Sequence, residues 1–183
     1  VLCVGATPLG ITNCLNFGNP EKPDRMWQFA QCIEGMCESL GELDLPVTGG
    51  NVSFYNETAG ASVLPTPVIG MVGLLEQAEK FIPNVVETEG TELYMMGAFG
   101  GRLDGSSLMY DLGRFRAGVL ADHDYTSFRE CQRFLAAAGK EGAIMGCHDV
   151  SDGGVAVAVV EMCPGGAEVD LSEFLPDIYD DED

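Results

Sequence analysis

The chain has 183 residues, 46% of them hydrophobic, enough for one large core or two small ones and too few for a large multidomain enzyme. Nine basic against twenty-nine acidic residues give a formal charge of −20, which repels nucleic-acid phosphates and anionic membrane surfaces and so argues against either as a partner. The longest apolar runs, 68–75 and 155–160, are too short to cross a bilayer.

Valine at position 1 is no natural start, so a piece of a longer soluble chain is expected. Residues 7 to 17, TPLGITNCLNF, read as a buried strand running into a turn at Gly18, Asn19 and Pro20. A helix follows from Pro23, with Met26, Phe29, Ala30, Ile33, Met36 or Cys37, and Leu40 recurring at steps of three and four to form one apolar face. Leu45 to Tyr55 is expected to be a strand interrupted by Gly49 and Gly50, and Asn56 to Gly60 a loop. PTPVIGMVGLLE is a further strand, with Pro65 and Pro67 confined to its entrance.

Around Glu76 to Gly90 the chain becomes charged and loses periodicity, which places a domain boundary there: residues 1–76 on one side, 77–183 on the other. Beyond it the pattern predicts a short strand over Thr91 to Gly97, a glycine-rich loop GAFGGRLDGSS and a short helix from Leu108. A second helix over Tyr125 to Ala138 carries Phe128, Cys131, Phe134, Leu135 and Ala138 on one face. Ala143 to Cys147 reads as a strand delivering HDVSDGG, and VAVAVVEM as a helix. The acidic tail, 176–183, has no apolar face.

Seven cysteines at irregular spacing, none in a C-x-x-C pair, read as buried thiols of a reducing cytoplasm and not as a metal or disulfide framework. Only Lys22, Lys80 and Lys140 are lysine, and with so many carboxylates this is the balance expected of proteins from salt-loving organisms.

Two runs can carry chemistry. In GGNVS, an extended backbone puts Asn51 and Ser53 on one side, while Gly49 and Gly50 admit a bulky group or merely mark a bulge. An asparagine oxygen is a hard neutral magnesium ligand and a serine hydroxyl bonds a phosphate oxygen, so this run suits a metal-bound nucleotide. In HDVSDGG, Asp149 can hold magnesium, and Ser151 with the first N–H groups of a helix can hold phosphate. The alternative there is an N-cap by Ser151 or Asp152 with His148 hydrogen-bonded in the core. GGRLDGSS lacks the Gly-Lys-Ser/Thr ending of a P-loop, and no Ser-His-Asp triad or zinc cluster is visible.

ITNCLNFGNPEKPDRMWQF, GGNVSFYNET, PTPVIGMVGLLE and HDVSDGG, in this order and at these separations, resemble the phosphoribosylformylglycinamidine synthase family. That resemblance implies an α/β (α+β) fold: the end of an N-terminal, ATP-binding domain of the aminoimidazole ribonucleotide synthetase type, in the second half of the enzyme, followed by the start of its C-terminal domain. The implied reaction converts formylglycinamide ribonucleotide (FGAR) to its amidine. ATP phosphorylates the amide oxygen, and ammonia from a glutaminase displaces the phosphate. By resemblance, Gly50 meets the nucleotide, Asn51 ligates Mg2+ and Ser53 contacts substrate. Asn13 stands where many members carry a nucleotide-binding aspartate, while Asp149 and Ser151 match magnesium and nucleotide residues of the second-half site. The family's catalytic histidines have no counterpart in these residues, so no catalytic residue is expected and the segment alone is expected to be inactive.

CLNFGNPEKP is similar to the shorter form of the family, which implies a separate glutaminase subunit and a small bridging subunit as partners in the cytoplasm, with no nucleic acid and no membrane involved. Two other readings stand beside this one: a nucleotide-stabilised structural half, and another ATP-dependent enzyme of the same superfamily.

Overall fold

The computed structural model describes residues 1–97, 106–112 and 123–170. The chain divides into two compact units, Val1–Phe81 and Ile82–Asp183.

The first unit is built on β1 (Thr7–Asn16). Ile11 and Leu15 point to one side of it and are almost inaccessible, whereas Thr12 and Cys14 on the other side are exposed. That alternation is the period of two expected of a half-covered strand. The chain then turns into α1 (Pro23–Glu42), whose first helical residue is proline, where a missing N–H costs nothing. Phe29, Ile33, Met36 and Leu40 are half-buried, so the predicted stripe forms with Met36 and not Cys37, while Met26 lies exposed at its start. Phe17 meets Phe29 edge-on at 5.1 Å, and Phe29 meets Phe54 at 5.0 Å, fixing α1 against the covered side of β1. Each such ring pair contributes about 1 kcal/mol beyond its buried area.

The helix is the crossover that lets β2 (Val47–Ser53) pair with β1 in parallel. This strand is shorter than the predicted Leu45–Tyr55, and its irregularity is a bulge: Ile11 pairs with Val47 but Thr12 with Gly49, leaving Thr48 as the extra residue. Thr48 Oγ1 donates to the Ile11 carbonyl at 2.9 Å, which compensates for the broken ladder. The expected loop at 56–60 instead folds as a small hairpin, β3 (Glu57–Thr58) and β4 (Ala61–Ser62), turned through Ala59 and Gly60 at φ 50° and 79°. Positive φ at both central residues gives the twist that two-residue hairpins need. Lys22 and Glu57 tie the hairpin to the start of α1 at 2.8 Å. β5 (Thr66–Leu74) closes the sheet antiparallel to β1, giving the order β2-β1-β5.

In the second unit α2 (Ser107–Asp111) is capped by the Ser106 hydroxyl, which accepts from the Met109 N–H. α3 (Tyr125–Glu141) begins at Asp124, whose carboxylate accepts from the Thr126 and Ser127 N–H groups, and ends at Gly142 in a left-handed conformation. It outruns the predicted 125–138 by three residues; Ala138 and Gly139 are buried, but Phe128 and Phe134 stand exposed. α4 (Gly154–Met162) confirms the helical reading of VAVAVVEM.

The strands expected over Thr91–Gly97 and Ala143–Cys147 do not form. A strand requires a ladder, and Ala143–Cys147 makes an isolated bond instead, the Cys147 N–H donating to the Pro83 carbonyl at 2.9 Å. Most of the glycine-rich loop and the acidic tail lie outside the described residues. No disulfide joins the seven cysteines, and the expectation of buried thiols fails: Cys14 and Cys37 are exposed and the other five only half-buried.

Candidate functional site

Parallel register decides which predicted residues meet. Asn13 pairs with Gly50, Cys14 with Asn51 and Asn16 with Ser53. Paired residues of a ladder share a face, so Asn13 and Gly50 lie on the α1 side with Leu15, whereas Asn51 and Ser53 lie on the opposite side with Cys14 and Asn16. The single site foreseen in GGNVS is therefore divided between two faces of one sheet.

The two glycines have different reasons to be glycine. A Cβ at Gly50 would stand 2.8 Å from the Asn13 carbonyl oxygen and 2.9 Å from its Cγ, so the room beside Gly50 is occupied by Asn13 and not open to a ligand. A Cβ at Gly49 would meet nothing within 4 Å. The open ground thus lies beside Gly49, on the side of Asn51 and Ser53, and corrects the expectation of a gap at both glycines.

That open face is polar and uncharged where β1 and β2 build it. Asn51 is exposed and Ser53 half-buried. Thr12 Oγ1 donates to the Gly49 carbonyl at 3.0 Å, and the Asn16 amide donates to the Thr66 carbonyl at 3.5 Å. Ser53 is held by Asn56, from the stretch expected to be a loop. The Asn56 amide nitrogen donates to the Ser53 carbonyl at 2.9 Å and to the Phe17 carbonyl at 3.1 Å, while Ser53 Oγ lies 3.2 Å from Asn56 Oδ1. An asparagine directly after a strand, able to bond backbone locally, is the signal that marks it. Tyr55 between them adopts φ 59°, a conformation costly for an aromatic residue.

In the second unit, HDVSDGG leads into α4. The His148 side chain is only 13% exposed; its Nδ1 lies 2.7 Å from the Asp149 carbonyl oxygen and its Nε2 3.4 Å from a Glu161 carboxylate oxygen. Asp149 projects its carboxylate outward, 70% exposed. The N-cap of α4 is Gly153 and no side chain bonds the helix start, so neither Ser151 nor Asp152 caps it. Ser151 is exposed, three residues before the first helical residue.

Asn51 and Asp149 offer hard oxygen donors of the kind magnesium takes. Each is one ligand, and among the described residues no three His, Cys, Asp or Glu side chains cluster to hold a metal. A cation at either position has to be shared with phosphate oxygens and water. The pKa shifts fall away from both runs: Lys22 lowers Glu57 by hydrogen bond and charge, burial raises the Cys32 thiol, and Ser127 lowers Asp124. Among the described residues no helix is long and apolar enough to cross a membrane.

The crossover unit, the two-part division and these motifs define the class. Residues 1–75 match the family model of the AIR synthase related protein N-terminal domain, and residues 88–182 that of its C-terminal domain. The chain belongs to the AIR synthase related family, as a partial α/β fold of that type.

Within the class it is similar to the PurL subunit of phosphoribosylformylglycinamidine synthase. It is 44% identical over 174 residues to that subunit from Anaeromyxobacter sp. (strain Fw109-5), a match covering 92% of this chain and 23% of the relative. With the subunit from Carboxydothermus hydrogenoformans the identity is 48% over 166 residues, 88% of this chain and 22% of the relative. The chain thus spans less than a quarter of the length of these curated relatives. Among solved structures, T. maritima PurL complexed with FGAR is similar over 77% of this chain and 19% of that one, at 23% identity and a TM-score of 0.49.

Proposed function

We propose that this chain is a segment of an ATP-dependent phosphoribosylformylglycinamidine synthase, a cytoplasmic ligase that turns FGAR and glutamine-derived ammonia into the amidine through an iminophosphate. The observation that carries the reading is an identity of 44–48% over about nine-tenths of the chain to relatives named as that subunit. The join between its domains falls at residues 76–77, the end of an N-terminal domain preceding it and the start of a C-terminal domain following. As a subunit of the shorter kind it works with a separate glutaminase and a small bridging subunit.

On the open face Asn51 supplies a neutral oxygen to Mg2+ and Ser53 meets the substrate, both held in line by two rungs of one parallel ladder. Magnesium, when bound, neutralises the phosphates during transfer to the amide oxygen. On the α1 side Asn13, lying over Gly50, is the nucleotide contact; being an amide, it brings hydrogen bonds but no charge. Asp149 and Ser151 hold the magnesium and phosphate of a second nucleotide; the Gly154 N–H is taken by the Ser151 carbonyl at 3.0 Å, but no side chain caps the start of α4, which leaves the N–H groups after Gly154 for that anion.

The uncharged Asn13 favours one other reading, in which the segment is a nucleotide-stabilised support with no direct part in turnover. Replacing Asn51 by alanine in the full-length protein separates the two. Loss of turnover by about 100-fold at an unchanged Tm is expected; a lowered Tm with near-normal specific activity would establish the supporting role instead.

A further inference from the structure

The contacts of Asn56 determine more than where Ser53 sits. An asparagine amide nitrogen has two hydrogens, and at Asn56 two backbone carbonyls take them, those of Ser53 at 2.9 Å and Phe17 at 3.1 Å. The flipped amide would set its oxygen against both carbonyl oxygens, so the orientation is dictated by the network. Asn56 is also pinned through its backbone: its N–H donates to the Phe17 carbonyl at 3.1 Å and its carbonyl accepts from the Val63 N–H at 3.0 Å. The amide nitrogen lies 3.2 Å from Ser53 Oγ as well, but with no hydrogen left to give. Only one polar bond then remains between the two side chains, in which the Ser53 hydroxyl donates to Asn56 Oδ1 across 3.2 Å.

We propose that Asn56 is a positioning residue that commits the Ser53 proton, so that Ser53 meets the substrate as a hydrogen-bond acceptor and selects an uncharged O–H or N–H donor, not a phosphate oxygen. This rests on the reading of Ser53 as a substrate contact. A hydroxyl has one hydrogen and two lone pairs; once the hydrogen points at Asn56, the lone pairs face outward. A phosphate oxygen placed against them would be acceptor against acceptor, whereas a donor finds a hydroxyl already oriented.

The test is a double-mutant cycle in the full-length protein, reading KM for FGAR, kcat and Tm for Ser53→Ala, Asn56→Ala and both together. Ser53→Ala is expected to raise KM about fivefold with little change in kcat. Asn56→Ala is expected to raise KM about threefold in the presence of Ser53 and not at all in its absence, while lowering Tm in both backgrounds. A fall in KM on Asn56→Ala, the result of freeing the hydroxyl to donate to a phosphate, overturns the inference. So does an equal rise in both backgrounds, which marks a purely structural residue. An unchanged KM on Ser53→Ala instead removes Ser53 as a contact and takes the inference with it, so the two failures are distinct. If the alanine variant does not fold, Asn56→Ser removes the acceptor that holds the Ser53 proton while its hydroxyl keeps a donor for one of the two carbonyls. Its KM should rise about threefold in the presence of Ser53 and not in its absence; a fall in KM, or an equal rise in both backgrounds, overturns the proposal.

Discussion

At Gly50 one missing methyl group allows two strands to be joined with an asparagine between them. The Asn13 side chain can swing aside, but its carbonyl belongs to the β1 ladder and is fixed by the pairing with β2. Gly50→Ala should therefore destabilise the protein by about 1–3 kcal/mol through overpacking. Gly49→Ala next to it meets open space and should stay within about 0.5 kcal/mol of the parent. Urea melts of both variants check the contrast, and equal losses would mean that Asn13 is not what keeps position 50 small. The reason for Gly50 was invisible in the sequence because Asn13 lies 37 positions earlier and becomes its neighbour only through the parallel register. Asn51 and Ser53 were legible for the opposite reason, since their shared face depends only on local alternation.

Elements with local causes are legible in the sequence, the hairpin at 57–62 excepted, and those with distant causes are not. The stripe of α1, the extended run of β1 and the start of β5 each follow from neighbours within a few residues. Thr91–Gly97 and Ala143–Cys147 have strand-like composition but gain no ladder, and composition does not report a missing partner. α3 shows a local cause that sequence reasoning passed over: Asp124, three residues before Ser127, accepts from the Thr126 and Ser127 N–H groups at 3.1 Å and from the Ser127 hydroxyl at 2.6 Å. These bonds favour the carboxylate, and its pKa is lowered, first by the Ser127 hydroxyl and then by the Ser127 N–H. A carboxyl group with a depressed pKa in the folded state contributes stability above its unfolded pKa of about 3.9, and loses it as pH falls through the lower folded value. Asp124→Ala should accordingly lower Tm at pH 7, with the gap from the parent narrowing at pH 3. Asp124→Asn keeps an acceptor for the cap but not the charge, and should fall between the parent and Asp124→Ala at pH 7. Circular dichroism melts at the two pH values decide it; a gap that is constant or widens in acid would assign the capping stability to something other than the charge.

Over the whole molecule, charge sets a different constraint. Twenty-nine acidic residues against nine basic ones make self-repulsion a standing cost of the compact state, and the Lys22–Glu57 pair relieves it only locally on an exposed surface. The same field opposes the approach of the anionic ATP and FGAR proposed as ligands, and the side chains proposed to meet them, Asn51, Ser53 and Asn13, are uncharged and add nothing to the repulsion. Potassium chloride shortens the screening length from about 10 Å at 0.1 M to about 3 Å at 1 M, so only charges in near contact still feel one another in molar salt. If repulsion is the dominant surface term, Tm should climb steadily from 0.1 to 2 M KCl. Sucrose separates screening from solute exclusion, because it strengthens burial while leaving the charges unscreened. A Tm that rises in salt well beyond its rise in sucrose supports a fold held back by its own carboxylates. A flat or falling salt curve would show instead that the acidic residues are spaced widely enough for water alone to screen them, and the lysine-poor composition would then have no bearing on stability.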